Sequence, residues 1–290
     1  MKPPAAASAR IFLGALAALV MAAMLALFAG PAVATSTNGL AAIYQGAYDS
    51  LEVFWIDSNG AVAWVDKQNS ETWWQNPLEG GSNWHNPMEI TAPLVGIPGS
   101  AITAVYQVQN DQLEVFWVDR DGAVNDVWKD HNGDWHNSAK MTGPGFAPPG
   151  SPLAALWVQP YHQLHVFGLG ADGALKMIYK TDNGKWNAPA QMTGPGFGVP
   201  GEQIATMYTD NAKQSLVFAV SPTGAISAQW KNGNAKWQPP STFTGPGVAP
   251  PGAALSAVYQ PIHDHVEVFF VDRNGTLDTL WRAGVAPFQV

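Results

Sequence analysis

Leu51-Glu52-Val53-Phe54-Trp55-Ile56-Asp57, Leu113-Glu114-Val115-Phe116-Trp117-Val118-Asp119, Leu164-His165-Val166-Phe167-Gly168-Leu169-Gly170, Ser215-Leu216-Val217-Phe218-Ala219-Val220-Ser221 and Val266-Glu267-Val268-Phe269-Phe270-Val271-Asp272 are five versions of one segment in a chain of 290 residues. Each runs into a turn ending in Gly60, Gly122, Gly173, Gly224 or Gly275. Those glycines are spaced by 62, 51, 51 and 51 residues, so the first repeat carries an 11-residue insertion. A fixed period of this length determines the architecture before any single element is read.

Working outward, each repeat reads as four strands. The first is Leu40 to Tyr44, Ile102 to Tyr106, Leu153 to Trp157, Ile204 to Tyr208 and Leu255 to Tyr259, with small residues in the middle that suit a strand near a crowded axis. The Val-Phe segment is the second, and Asn-Gly, Asp-Gly or Thr-Gly turns it into the third by supplying positive φ. That third strand runs to Trp128, Tyr179, Trp230 and Trp281, and a short fourth holds Trp84, Trp135, Trp186, Trp237 and Phe288. Pro-rich stretches such as Thr142 to Gly150 and Thr244 to Gly252 read as the loops between repeats. The prediction is an all-β protein, a β-propeller of five four-stranded antiparallel blades at roughly 40–100, 101–151, 152–202, 203–253 and 254–290, forming one domain over 35–290. No strand exchange between the two ends is visible, so closure is expected from packing of the fifth blade on the first. A homo-oligomer or an incomplete ring is the alternative.

The N-terminus reads differently. Lys2 and Arg10 precede an uncharged apolar run from Ile11 to Phe28, and Ala32-Val33-Ala34 offers a small-x-small cleavage site, so residues 1–34 read as an export signal. A run of that length also reaches across a bilayer, which keeps an uncleaved anchor as the alternative; no later segment spans a membrane. Loss of Lys2 and Arg10 from 14 basic residues leaves 12 against 22 acidic ones, a net charge of −10. That balance argues against a nucleic-acid partner, which needs clustered cations. The chain has no cysteine, so disulfides, thiolate metal sites and a cysteine nucleophile are excluded. The expected location is outside the cell, with the periplasm or the cell surface as variants.

Two rows of residues carry the candidate chemistry. Six positions after each turn glycine stands Asp66, Trp128, Tyr179, Trp230 or Trp281, and the next residue is always a cation: Lys67, Lys129, Lys180, Lys231 or Arg282. An aromatic face can stack on a pyranose while a neighbouring cation donates to its hydroxyls; equally, the ring can be blade-packing filler and the cation a snorkelling stem. In the second row, Trp84, Trp135, Trp186 and Trp237 precede His85, His136, Asn187 and Gln238. The first repeat lacks the third-strand aromatic but has Trp64, Trp73 and Trp74 in and beside its insertion. The Asp-x-Asn/Asp-Gly turns at Asp57, Asp119 and Asp272 faintly suggest calcium loops, yet the downstream Glu is missing and a hairpin explains them. His263 and His265 lack a third metal ligand in view. Asp126 and Asp278 sit at different repeat positions, and no nucleophile elbow, phosphate loop or zincin motif appears, so catalysis and cofactors are not expected.

The run Val-Phe-Trp-Val-Asp-x-x-Gly, the aromatic-cation pair, Gly-x-Trp and Pro-Gly-x-Ala-Pro-Pro-Gly together resemble the repeats of the Photorhabdus-type bacterial lectins over residues 40–290, and are similar in idea to tachylectin and tectonin-like propellers. That resemblance implies a lectin binding fucose or related, sometimes methylated, sugars in pockets between blades, although those lectins have seven blades and this chain has five repeats. The expected partner is therefore a fucosylated or related glycan, bound through Trp128, Lys129, Tyr179, Lys180, Trp230, Lys231, Trp281, Arg282, Trp84, Trp135, Trp186 and Trp237. A non-catalytic adhesion or protein-interaction scaffold without sugar binding is the alternative.

Overall fold

A computed structural model describes residues 34–35, 39–46, 48–68, 84–182 and 184–289. The export-signal reading of the segment before Ala34, and Trp73 and Trp74 of the insertion, lie outside the described residues. Those described are nearly all strand and turn, with one short 3-10 turn at Gln159–Tyr161.

Five antiparallel sheets follow one another along the chain. The first is β2 (Leu40–Gln45), β3 (Ser50–Ile56), β4 (Val62–Gln68) and β5 (Met88–Glu89). Next come β6 (Ile102–Gln107), β7 (Gln112–Val118), β8 (Val124–Lys129) and β9 (Trp135–Lys140), with β1 (Ala34–Thr35) paired to the free edge of β6. The third sheet is β10 (Ala154–Val158), β11 (Gln163–Leu169), β12 (Leu175–Thr181) and β13 (Ala190–Gln191). The fourth is β14 (Ile204–Thr209), β15 (Gln214–Val220), β16 (Ile226–Asn232) and β17 (Ser241–Thr242), and the last is β18 (Leu255–Gln260), β19 (His265–Val271) and β20 (Leu277–Ala283).

Local chemistry explains why the second hairpin of each unit recurs. Asp57, Asp119 and Asp272 each accept two amides of their own turn, as in Asp119 Oδ1 from Asp121 at 2.9 Å and Ala123 at 3.0 Å. The carboxylates are thus committed to the turn, and Asp119 also pairs with Lys140 at 2.8 Å. The closing glycine must be glycine: Gly173 has φ +74, and a Cβ there would lie 2.2 Å from the carbonyl oxygen of Gly198 in the Pro-rich loop. Thr91, Thr142, Thr193 and Thr244 anchor those loops by accepting the amides of Val62, Val124, Leu175 and Ile226 at 2.8 to 2.9 Å.

Sheet packs on sheet through four apolar clusters, one at each of the four junctions between consecutive sheets. Middle sheets are buried on both faces, as β6 and β7 show along their whole length, so their strands read as unbroken apolar runs. Strands β3 and β19 instead alternate buried and half-buried residues, because the first and last sheets are covered on one face only. This corrects the expectation of a ring closed by the fifth unit on the first: among the described residues no apolar cluster joins them. A second correction concerns the fourth strand. Only Trp135 belongs to it; Trp186 and Trp237 precede β13 and β17, Trp84 makes an isolated bridge to Lys67, and Phe288 lies beside the bridge between Trp281 and Gln289. Trp186 and Trp237 enter their junctions from the loop, and the residues after them make the short edge strand.

Candidate functional site in the junctions between sheets

Successive residues of a strand point to opposite faces of its sheet. Trp128 and Lys129 therefore do not share a site, nor do Tyr179 and Lys180, Trp230 and Lys231, or Trp281 and Arg282. Trp128, Tyr179 and Trp230 face the following sheet, Trp281 faces the open end of the last one, and each cation faces the preceding sheet, which corrects the pairing expected from adjacency in the sequence.

What assembles in each junction comes from two repeats. At the first, Lys129 Nζ donates to Glu52 Oε1 of the preceding sheet at 2.6 Å. It lies 5.1 Å from the ring centre of Trp64 and 5.5 Å from that of Trp135, two indoles set edge to face at 5.7 Å. Trp64 Nε1 also donates to Glu52. At the second junction Lys180 is bonded to Glu114 and lies 5.3 Å from the Trp186 ring; Trp128, on the Glu114 face, stacks on His136 at 3.7 Å. At the third, Lys231 Nζ donates to Gln163 Oε1 at 2.7 Å and approaches His165 Nε2 at 3.4 Å, with Trp237 at 5.6 Å and Tyr179 stacked on His165. At the fourth, Arg282 donates to Gln214 and lies 4.8 Å over Phe288, while Trp230 faces Phe243.

A second contact repeats with the first. The aromatic of each later repeat meets the second-strand Phe of the sheet before it edge to face: Trp135 on Phe54 at 5.9 Å, Trp186 on Phe116 at 5.7 Å, Trp237 on Phe167 at 5.6 Å and Phe288 on Phe218 at 5.8 Å. These contacts add geometry to the burial that holds the sheets together.

Electrostatics vary along the row. Lys180, Lys231 and Arg282 are buried, and Lys129 keeps 12% of its side chain exposed. Burial pulls Lys231 down to about 8 and lowers Arg282, and holds His165 at about 3, so that imidazole is neutral and able to accept from Lys231. Burial pushes Glu114 up against the pull of Lys180. Asp126, buried beside them, is pushed up to about 7 by burial first and by the Glu114 charge second. The third-strand aromatics and Trp84, Trp135, Trp186 and Trp237 are half-buried. Neither of two shallow depressions, of about 290 and 280 Å³, is lined by any of the twelve expected residues.

Reading the sequence for aromatics and cations missed their partners: Glu52, Glu114, His165 and Gln214. For Glu52, Glu114 and His165 the signal was present, since a polar residue in the otherwise apolar Leu-x-Val-Phe segment is a buried group that needs an answer, whereas Gln214 stands just before its segment. Asp278, considered beside Asp126, is exposed on β20. No group of three or more metal-binding side chains occurs among the described residues. No helix there is long and apolar enough to cross a membrane.

No protein-family model matches the chain, and no curated protein does. Solved structures do. The chain is similar to the BP39L lectin from Burkholderia pseudomallei, at 25% identity and a TM-score of 0.78, over 89% of this chain and 70% of that one. It shares its fold, at 16% identity and a TM-score of 0.58, with the SapL1 lectin solved with α-methyl fucoside, over 88% and 80% of the two chains. A fucose-specific lectin from Aleuria aurantia follows at 15% identity and 0.58, over 89% and 79%. The repeated four-stranded sheets share the fold of these lectins.

Proposed function

We propose that this chain is a secreted carbohydrate-binding protein, a lectin that takes fucose-like monosaccharide units at the junctions between its sheets. One observation carries the reading. At the first junction a cation, a carboxylate and two indoles converge where Lys129 meets Glu52 between Trp64 and Trp135. A pyranose needs an apolar wall and a few placed donors and acceptors, and this set contains both. Likeness to BP39L, and the fucoside and fucose-specificity of the two more distant lectins, favour a sugar of that class.

In this reading the sugar lies on the exposed edges of the aromatics and reads the polar pair beneath. The later junctions offer Trp128 and Trp186 with Lys180, Tyr179 and Trp237 with Lys231, and Trp230 with Arg282; Trp281 and Trp84 belong to the two end faces. A mature start near Thr35 completes the proposal of export. It implies no cofactor and no catalytic step.

A second reading, a protein-interaction scaffold, is favoured by the burial of Lys180, Lys231 and Arg282, which are spent on bonds between sheets. A glycan array separates the two. Selective retention on fucosylated glycans, competed by free L-fucose, supports the lectin; a folded protein that retains no glycan supports the scaffold and ends the proposal.

A further inference from the structure

In all four junctions one rule holds: a third-strand cation reaches back to a polar residue of the preceding second strand, Glu52 and Glu114 two residues before the Phe or Gln163 and Gln214 four before it, and a following aromatic meets that Phe. Applied to the ends, the rule leaves one half of a junction on each. On the first sheet Lys67 pairs in register with Leu51, which puts it on the face opposite Glu52 and Phe54. The chain itself covers it to 1% exposure, yet among the described residues its Nζ has no hydrogen-bond partner and burial lowers its pKa, so pairing with a second copy requires that cover to open. Every other cation of the row has a hydrogen-bond partner across a junction. Trp84, counterpart of Trp135, has a buried Nε1 that is also unpartnered.

The last sheet carries the other half. Glu267 occupies the position of Glu52 and Glu114 but among the described residues is answered by Thr279 Oγ1 alone, at 2.8 Å on its own sheet. Phe269 is half-exposed, whereas its counterparts Phe54, Phe116, Phe167 and Phe218 are 0% exposed. Val271 and Leu277 share that face and stand 47% and 68% exposed, beside the 290 Å³ depression. Leu40 and Tyr44, about 40% exposed, do the same on the first sheet.

We propose that the outer face of the fifth sheet receives the outer face of the first sheet of a second copy of this chain, Glu267 taking Lys67 and Phe269 taking Trp84. This holds whether or not sugar binds. Charge and shape are complementary by the rule that four internal junctions already follow. A second copy is favoured over closure within one chain because among the described residues no apolar cluster joins the first and last sheets, and the chain superposes on 70% of the longer BP39L lectin. Close-packed cores do not bend to a tighter ring without loss of contact. Such an interface is heterologous, so copies add head to tail.

Charge exchange tests it, with mass read by light scattering over a concentration series. The wild-type chain should exceed the mass of one copy and grow with concentration. Lys67→Glu and Glu267→Lys should each fall to one copy, while their equimolar mixture and the double exchange should both restore growth with concentration, because in each of them every end again meets an opposite charge. A wild-type mass of one copy at every concentration, or a mixture no heavier than its components, overturns the proposal. Should an exchange unfold the chain, the absence of native cysteine offers a second reading: Lys67→Cys mixed with Glu267→Cys under oxidation should give a disulfide-linked pair. No pair, or a link formed within one chain of the double variant, overturns it as well.

Discussion

Lys129 Nζ and Glu52 Oε1, 77 residues apart in the chain, lie 2.6 Å apart across the first junction. The contact ties the third strand of one repeat to the second strand of the repeat before it, and it is nearly closed to solvent. Removing one partner strands the other's charge, so Lys129→Met should cost about 3 kcal/mol. The pair Lys129→Met with Glu52→Gln should cost less than Lys129→Met alone, because no unpaired charge remains. Urea unfolding of the two variants measures the difference; a double variant weaker than the single would contradict the latch.

Asp126 makes stability depend on pH. Its carboxyl, with Oδ1 unpartnered, holds a proton up to about 7 in the folded chain against 3.8 in the unfolded one. A folded-state value raised above the unfolded one means that its contribution is fully present below about pH 4 and is lost as pH rises through about 7. Asp126→Asn keeps the shape without the charge. It should match the wild type at pH 4 and exceed it by about 2 to 4 kcal/mol at pH 8. Melting curves at the two pH values decide; equal gains at both would show that packing and not titration was responsible.

Gly173 and Gly275 occupy the same turn in different repeats, with φ +74 and +80, but only Gly173 has a carbonyl oxygen where a Cβ would go. Gly275→Ala should therefore cost about 1 kcal/mol, the strain of a left-handed residue. Gly173→Ala should cost several times that, since the Pro-rich loop must move as well. Equal losses in thermal unfolding would contradict the role given to the loop.

Much of the architecture was legible because the repeat is spelled out by strong local signals. The turn glycines and the Val-Phe segments mark the central hairpin of every sheet, and first strands such as Ile102 to Tyr106 fall where the small residues place them. The fourth strand was misplaced because a tryptophan is a louder signal than a two-residue edge strand such as Ala190–Gln191. Grouping Trp128 with Lys129 failed for a different reason: neighbours in a strand diverge, and only the register of β7 with β8 shows which junction each one enters. Ring closure was out of reach, because complementarity of two end faces does not say whether they meet.

The central claim is that the junctions bind sugar, and calorimetric titration of the purified chain with α-methyl fucoside tests it most directly. Binding should be weak per pocket and gain strength on a multivalent surface. Trp135→Ala should remove the first junction's contribution, about 1 to 3 kcal/mol at that pocket, while the others are spared and stoichiometry falls. Absence of heat with the folded wild type, or unchanged affinity and stoichiometry after Trp135, Trp186 and Trp237 have all been replaced in a protein that still melts cooperatively, would contradict it.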